Sequence, residues 1–264
     1  MKPTLRLISF ALVAFSASAA DTAPPTISAT DLAAKLSALQ QDGSSFVRLK
    51  MDVKGATKVA LQLQIKQRRT KAVTEVVYQI LWPKERLGES VLLRKTANQS
   101  ATGSIFIPPN TVRSLNSSQM KDALFGSDLS YADVLENFFA WENQNIVGTE
   151  VVDRVSCQIL ESKPGKGQRS SHASVRTWVD TRRIVPLRVE KYLASGQLTR
   201  RIDSGRVVTD DIQRHVPAGL TISDLRTNST TELDGSKLKH GVVYTDAEFT
   251  PEGLKQVTTP SSAP

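Results

Sequence analysis

Apolar and polar residues alternate with a period of two over most of this chain. The clearest case is VALQLQIK, where Val59, Leu61, Leu63 and Ile65 share one face and Gln62, Gln64 and Lys66 lie on the other. That is the pattern of a half-buried strand. FVRLKMDV alternates less regularly, EVVYQILW ends at Pro83, and SVLLRK and GSIFIP are joined by the polar turn TANQSAT. Further on, VSCQILES and ASVRTWVD flank KPGKGQRS, and IVPLRVEKYL sets Val185, Leu187 and Val189 against Arg188 and Glu190. QLTRRID, GRVVTDDI, GLTISDLRTN and TTELDG complete the series. About ten strands joined by short polar turns predict an antiparallel meander.

Two stretches change period. Leu32, Leu36 and Leu39 recur at helical spacing after Thr30, which can cap the helix, and Asp42-Gly43 stops it. SYADVLENFFAWE places Val134, Phe138 and Trp141 on one helical stripe, with Leu135 and Phe139 beside it. The expected fold is therefore α+β and mostly antiparallel β. It is an incomplete curved β-barrel whose hydrophobic concave face is covered by the two helices, because an apolar face of that size must be covered.

The ends of the chain read differently. MKPTLR carries Lys2 and Arg6 without an acid, LISFALVAF is a short apolar run, and Ala17-Ser18-Ala19 is a small-residue cleavage site. This predicts a secretory signal peptide over residues 1–20, a flexible Pro- and Ala-rich leader over 21–28, one domain over 29–254 and a disordered tail over 255–264. The apolar run is shorter than the roughly 20 residues that span a bilayer. The expectation is a periplasmic monomer that is not an integral membrane protein. Without Lys2 and Arg6 the formal charge falls from +8 to +6, and the charges are interspersed. The densest run, KQRRTK from Lys66 to Lys71, reads as a hairpin turn, so no nucleic-acid partner is expected. Cys157 is the single cysteine, lies among apolar residues, and reads as a buried thiol.

Candidate chemistry is sparse. His172, His215 and His240 are far apart and no metal-binding spacing occurs, so no metal and no cofactor is expected. Gly165-Lys166-Gly167 lacks the third glycine and the following helix of a phosphate loop, and reads as a hairpin tip. Asp210 and Asp211, as neighbours on a strand, are expected to point to opposite faces. GxSxG is absent. FGSDLSYADV offers a hydroxyl and carboxylates, but Ser130 followed by Asp133 is a variant capping box, and Ser127 or Asp128 can satisfy helix N–H groups in the same way. No catalytic residue and no enzyme activity is expected. The predicted role of Gly126, Ser127, Asp128 and Tyr131 is to open the second helix.

GSDLSYADV, then WVDTRRIVPLRVEKYLASGQLTRR, then DAEFTPEGL resemble, in order and spacing, the periplasmic outer-membrane lipoprotein-sorting proteins of the LolA-like superfamily. The matching positions are Gly126, Ser127, Asp128, Ser130 and Tyr131, then Trp178, Asp180, Val185, Pro186, Leu187 and Arg188. The resemblance spans about Thr30 to Leu254. It departs from the family before the GSD motif, where SIFIPPNTVRSLNSSQMKDALFGSD has Arg113 alone in place of an Arg pair. It implies an incomplete barrel around a hydrophobic cavity that takes acyl chains of lipids or lipoproteins for transport toward the outer membrane. On that basis Leu61, Leu63, Ile65, Phe106, Val134, Phe138, Trp141, Trp178, Leu187 and Val189 are expected to line the cavity. The alternative is a partner-binding module of the same fold, a sensor or an accessory to an inner-membrane transporter.

Overall fold

The computed structural model describes residues 26–258 apart from 42, 57, 97, 98 and 169. The expected signal peptide, most of the leader and the end of the tail lie outside the described residues. One helix, α1 (Ala29–Gln40), precedes thirteen strands. The first six are β1 (Gly43–Lys54), β2 (Val59–Arg69), β3 (Val73–Trp82), β4 (Ser90–Thr96), β5 (Thr102–Ile107) and β6 (Thr111–Leu115). The other seven are β7 (Asn143–Val152), β8 (Val155–Lys163), β9 (Ser174–Asp180), β10 (Val185–Tyr192), β11 (Leu198–Thr209), β12 (His215–Asp224) and β13 (Ser229–His240).

All thirteen form one antiparallel sheet in the order β6-β5-β4-β3-β2-β1-β13-β12-β11-β10-β9-β8-β7. The chain winds outward from β1 to one edge, crosses to the other edge, and winds back until β13 pairs with β1. The edges β6 and β7 are not paired to each other, so the barrel is incomplete. QLTRRID and GRVVTDDI, read as two strands, are one strand, β11.

The helix cap is Ser28, not Thr30: the Ser28 side chain accepts from the Asp31 N–H at 3.2 Å. Leu32, Ala33 and Leu36 bury one face of α1 against Phe138, Phe139 and Trp141 and against Leu160, Val175 and Val179 of β8 and β9. The second predicted helix does not form. SYADVLENFFAWE contains only two short 3-10 turns, Asp133–Leu135 and Phe138–Ala140. An α-helix advances about 1.5 Å per residue, roughly half the reach of extended chain, and this segment has to cross the sheet. Its polar backbone is satisfied elsewhere. Gln144 of β7 donates to the carbonyls of Phe138, Phe139 and Trp141 at 3.0, 3.3 and 3.0 Å.

Each face of the sheet carries a cover. Residues 116–142 connect the two edges across the inner face. Met120, Leu124, Tyr131 and Leu135 pack on Ile65, Val76, Val91, Leu93, Ile105 and Leu115 at one end, and Phe138, Phe139 and Trp141 join the α1 cluster at the other. Residues 244–258 lie on the outer face of β2–β5, where Phe249 and Leu254 pack on Val77, Leu92 and Phe106. That strap includes Gln256 and Thr258 from the segment expected to be a tail; their carbonyls accept from Gln79 at 3.1 Å and Gln64 at 3.0 Å.

Candidate functional site: the inner face beneath the crossing segment

The inner wall is built by register. Val47, Leu49, Met51 and Val53 of β1 lie opposite Ile65, Leu63, Leu61 and Val59 of β2. Leu61, Leu63 and Ile65 are buried there with Ile80, Val76 and Val91 of β3 and β4. Val134 packs against this same half. Phe138, Trp141 and Val189 lie instead in the α1 cluster over β8–β10. The expected stripe of Val134, Phe138 and Trp141 is thus divided between two clusters, because the segment carrying it is not helical.

Three expected lining residues lie on the outer face. Phe106 packs under the strap with Phe249 and Leu254. Trp178 faces away from its neighbours Val175 and Val179, packs with Cys157, Val185 and Leu187, and donates its indole N–H to Glu150 at 2.8 Å. Leu187 is displaced by a bulge: Pro186 pairs with Val179 and Arg188 with Trp178, leaving Leu187 as the extra residue. One inserted residue reverses the alternation beyond it, so Val189 faces inward while Val185 and Leu187 face outward.

The GSD loop is a staple to the sheet and does not cap a helix. Phe125 and Gly126 both have positive φ, +52° and +87°, a backbone that glycine adopts without strain. The turn aims Asp128 at β13. Its carboxylate accepts from the hydroxyls of Ser229 and Thr231, the latter at 2.6 Å, and its N–H donates to Thr231 Oγ1 at 2.9 Å. The Ser127 hydroxyl only bridges the Leu129 backbone, at 3.3 and 3.4 Å. Tyr131 is buried against the β3–β5 wall. The Ser130–Asp133 exchange predicted as a capping box does occur. Ser130 donates to Asp133 Oδ2 from its N–H and hydroxyl at 2.8 and 2.6 Å, and Asp133 N–H returns a bond at 3.1 Å.

Asp133 does more than close its own turn. It meets Lys191 Nζ at 2.6 Å and Arg200 Nη1 at 2.5 Å, and Lys191 also reaches Glu136 at 3.1 Å. Lys191 and Arg200 sit opposite each other on β10 and β11, and Arg200 lies opposite Asp224 of β12. Apart from Glu136, which is 15% exposed, these side chains are buried. Burial alone would raise the Asp133 carboxyl, but the Lys191 and Arg200 charges, with bonds from Lys191 and Ser130, hold it well below the usual carboxylate range. His172 lies within 4.8 Å of the Asp133 and Glu136 oxygens. Burial, reinforced by the Lys191 charge, lowers His172 below an ordinary imidazole. Sequence spacing gave no sign of this cluster, whose members come from the crossing segment, the turn before β9, and β10, β11 and β12.

Two groups therefore offer three metal-type donors each, Asp133–Glu136–His172 and Asp210–Asp211–His240. The second corrects the expectation for Asp210 and Asp211. They lie in a turn beyond β11, and both reach His240, at 3.8 and 2.5 Å. In each group a carboxylate is already neutralised by protein cations, Lys191 and Arg200 in one and Arg214 at 3.0 Å in the other. Cys157 is buried, and burial pushes its thiol up to about 11, which removes the thiolate needed for reactivity.

The basic run KQRRTK lies mostly within β2 and not in the turn. Arg69, on the inner side, donates to the Val134 carbonyl of the crossing segment at 3.0 Å. Lys66 and Arg68, on the outer side, hold Glu248 and Asp246 of the strap at 3.0 and 2.8 Å. Among the described residues no helix is long and apolar enough to cross a membrane.

Comparison with solved structures shows the fold. A DUF1329 family protein from Desulfovibrio piger superposes with a TM-score of 0.77 at 21% identity, over 86% of this chain and 97% of its own. A putative outer membrane lipoprotein-sorting protein domain from Vibrio parahaemolyticus gives 0.77 at 18% identity, over 86% and 98%. A LolA superfamily protein from Nitrosomonas europaea gives 0.66 at 17% identity, over 85% and 98%. No curated protein sequence matches the chain. A family model described as "-like: Uncharacterized protein" matches residues 72–256, most of the chain. The chain belongs to the family which that model describes, and it carries the open antiparallel fold of the LolA-like superfamily.

Proposed function

We propose that this protein is a periplasmic carrier that holds acyl chains of a lipid or lipoprotein on the inner face of its sheet. The observation that carries the reading is the cover. An apolar wall from β1 to β6 is closed by a segment with no α-helix, held by side chains at its two ends and middle and lying between two unpaired sheet edges. A wall covered in that way is sealed when empty and exposed when the segment lifts. Each methylene of a bound chain contributes about 0.8 kcal/mol, so a chain of ordinary lipid length offsets the apolar contacts the segment gives up. The solved structures named as lipoprotein-sorting and LolA superfamily proteins support this by fold.

The test is purification from a native periplasm followed by lipid extraction and mass spectrometry, with displacement of a fluorescent fatty acid by the recovered lipid. Stoichiometric lipid is expected. An apoprotein that binds no fatty acid in either preparation would sink the proposal.

A second reading, a partner-binding module, is supported by edge strand β7. Val147 and Val151 there are 45% and 65% exposed, beside a row of unpaired backbone groups suited to strand addition. Capture of one membrane protein, lost with a proline in β7, is the result expected of that reading.

A further inference from the structure

The inner face is not uniformly apolar, and its polar part is oddly placed for a surface that only has to bury acyl chains. Lys191 and Arg200 stand side by side near the hairpin end of β10 and β11, both buried, and their carboxylate partners Asp133 and Glu136 belong to the crossing segment. Among the described residues of the sheet, the only anion contacting this pair is Asp224. It meets Arg200 at 3.5 Å but is held more closely by Arg226, at 2.6 Å. If the segment lifts, Asp133 and Glu136 leave with it and two cations remain on the wall with one shared anion. A buried charge stripped of its partner is strongly unfavourable, so the open state calls for a replacement anion at that point.

Two further observations point the same way. Arg200 Nε is buried and has no hydrogen-bond partner among the described residues, although its guanidinium is engaged on both other nitrogens. Thr177 Oγ1, on the inner side of neighbouring β9, is also buried and unpartnered. From Arg200 the register leads through Ile202 and Ile222 of β11 and β12 toward Leu233 and Met51, and so to the apolar wall. A head group at the cations would lie at the end of an apolar lane.

We infer that Lys191 and Arg200 form a head-group site for an anionic amphiphile, a phosphate- or carboxylate-headed acyl lipid, and that Asp133 and Glu136 occupy this site as intramolecular substitutes when the segment is closed. Arginine with an adjacent lysine matches the planar or tetrahedral oxyanions of both head groups. The inference rests on the carrier reading and adds the ligand's charge to it.

The test compares two ligands that differ only in the phosphate, oleoyl lysophosphatidic acid and monooleoylglycerol, by titration calorimetry on the full-length mature protein. The anionic ligand is expected to bind at least about tenfold tighter, the scale of one charge-assisted bond. In the charge-neutral variant Asp133→Asn, Glu136→Gln, Lys191→Met, Arg200→Met the preference should vanish while monooleoylglycerol still binds, which shows that the fold survives. In Asp133→Asn alone, affinity for the anionic ligand should rise by more than that for the neutral one. Equal affinities in the wild type overturn the inference and leave the carrier reading standing. Binding of neither ligand overturns both. Inorganic phosphate that competes at concentrations similar to the lipid would show a site for a free anion and overturn the assignment to an amphiphile.

Discussion

The two covers of the sheet are close in construction and differ in how deeply their ion pairs are buried. Both are irregular segments with short 3-10 turns, and each buries a few large apolar residues. The inner cover holds on with its own charged side chains: Asp128 to β13, Asp133 and Glu136 to β10 and β11. The outer strap is held by carbonyls and by more exposed ion pairs, Lys66 to Glu248 and Arg68 to Asp246, the last carboxylate 92% exposed. Gln64 and Gln79 donate to the carbonyls of Thr258 and Gln256, and Arg94 donates to that of Phe249 at 2.9 Å. Ion pairs can be displaced by a competing ion. On the carrier reading, the buried pairs of Asp133 and Glu136 with Lys191 and Arg200 are the contacts that a ligand's anion would displace.

The largest test of that contrast is Asp133→Ala, which leaves Lys191 and Arg200 buried without their shared partner. Breaking a buried pair in this way costs roughly 3–5 kcal/mol. The loss should show as protease cleavage within residues 116–142 while the strap stays protected. Acid should reproduce it in the wild type. A carboxyl whose folded pKa is depressed stabilises fully above its unfolded value of about 3.9, and the contribution is lost as pH falls below that. His172, held below an ordinary imidazole by burial, acts in the same direction from about pH 6.5 downward. It faces Lys191, Arg200, Asp133 and Glu136. Trp141 fluorescence followed against pH should therefore change before global unfolding by circular dichroism. If both change together, the inner cover is not a separate unit.

Leu254→Ala attacks the strap instead. Leu254 is buried against Val77, Leu92 and Phe106, and a leucine-to-alanine change in such a setting costs about 2–5 kcal/mol. Urea unfolding should show one cooperative transition shifted to lower denaturant, with no selective opening of residues 116–142. Asp128→Ala removes two hydroxyl bonds and should cost about 1.5–3 kcal/mol by the same measurement, more than Ser127→Ala, whose hydroxyl touches only the next turn. The smallest effect belongs to Gln256→Ala. Its carbonyl, not its exposed side chain, makes the contact to Gln79, so stability should move by no more than about 0.5 kcal/mol. A large loss there would show that strap side chains carry the attachment.

Period-two alternation was enough to locate eleven of the thirteen strands, since each has at least one face packed on a core. The two it missed, Thr111–Leu115 and Asn143–Val152, are the edges of the sheet. Edge strands are selected to be polar and irregular, because a flat apolar edge would pair with other chains. The loss of the strand signal there is thus a consequence of their position. The predicted second helix failed because its segment has to cross the sheet, which leaves Val134 in one cluster and Phe138 and Trp141 in another.

Local pattern by itself determined the antiparallel meander, the apolar face of β2, the helix α1, the buried Cys157 and the Ser130–Asp133 exchange, each of which depends on residues a few positions apart. Tertiary structure alone decided the rest. A single bulge at Leu187 placed Leu187 and Val189 on different faces, and β2 turned one basic run into the anchor of both covers. Asp133 met Lys191 and Arg200 across 58 and 67 positions of chain. No periodicity reaches that far, because the pairing of distant strands, not the spacing of neighbours, fixes which charges share the interior.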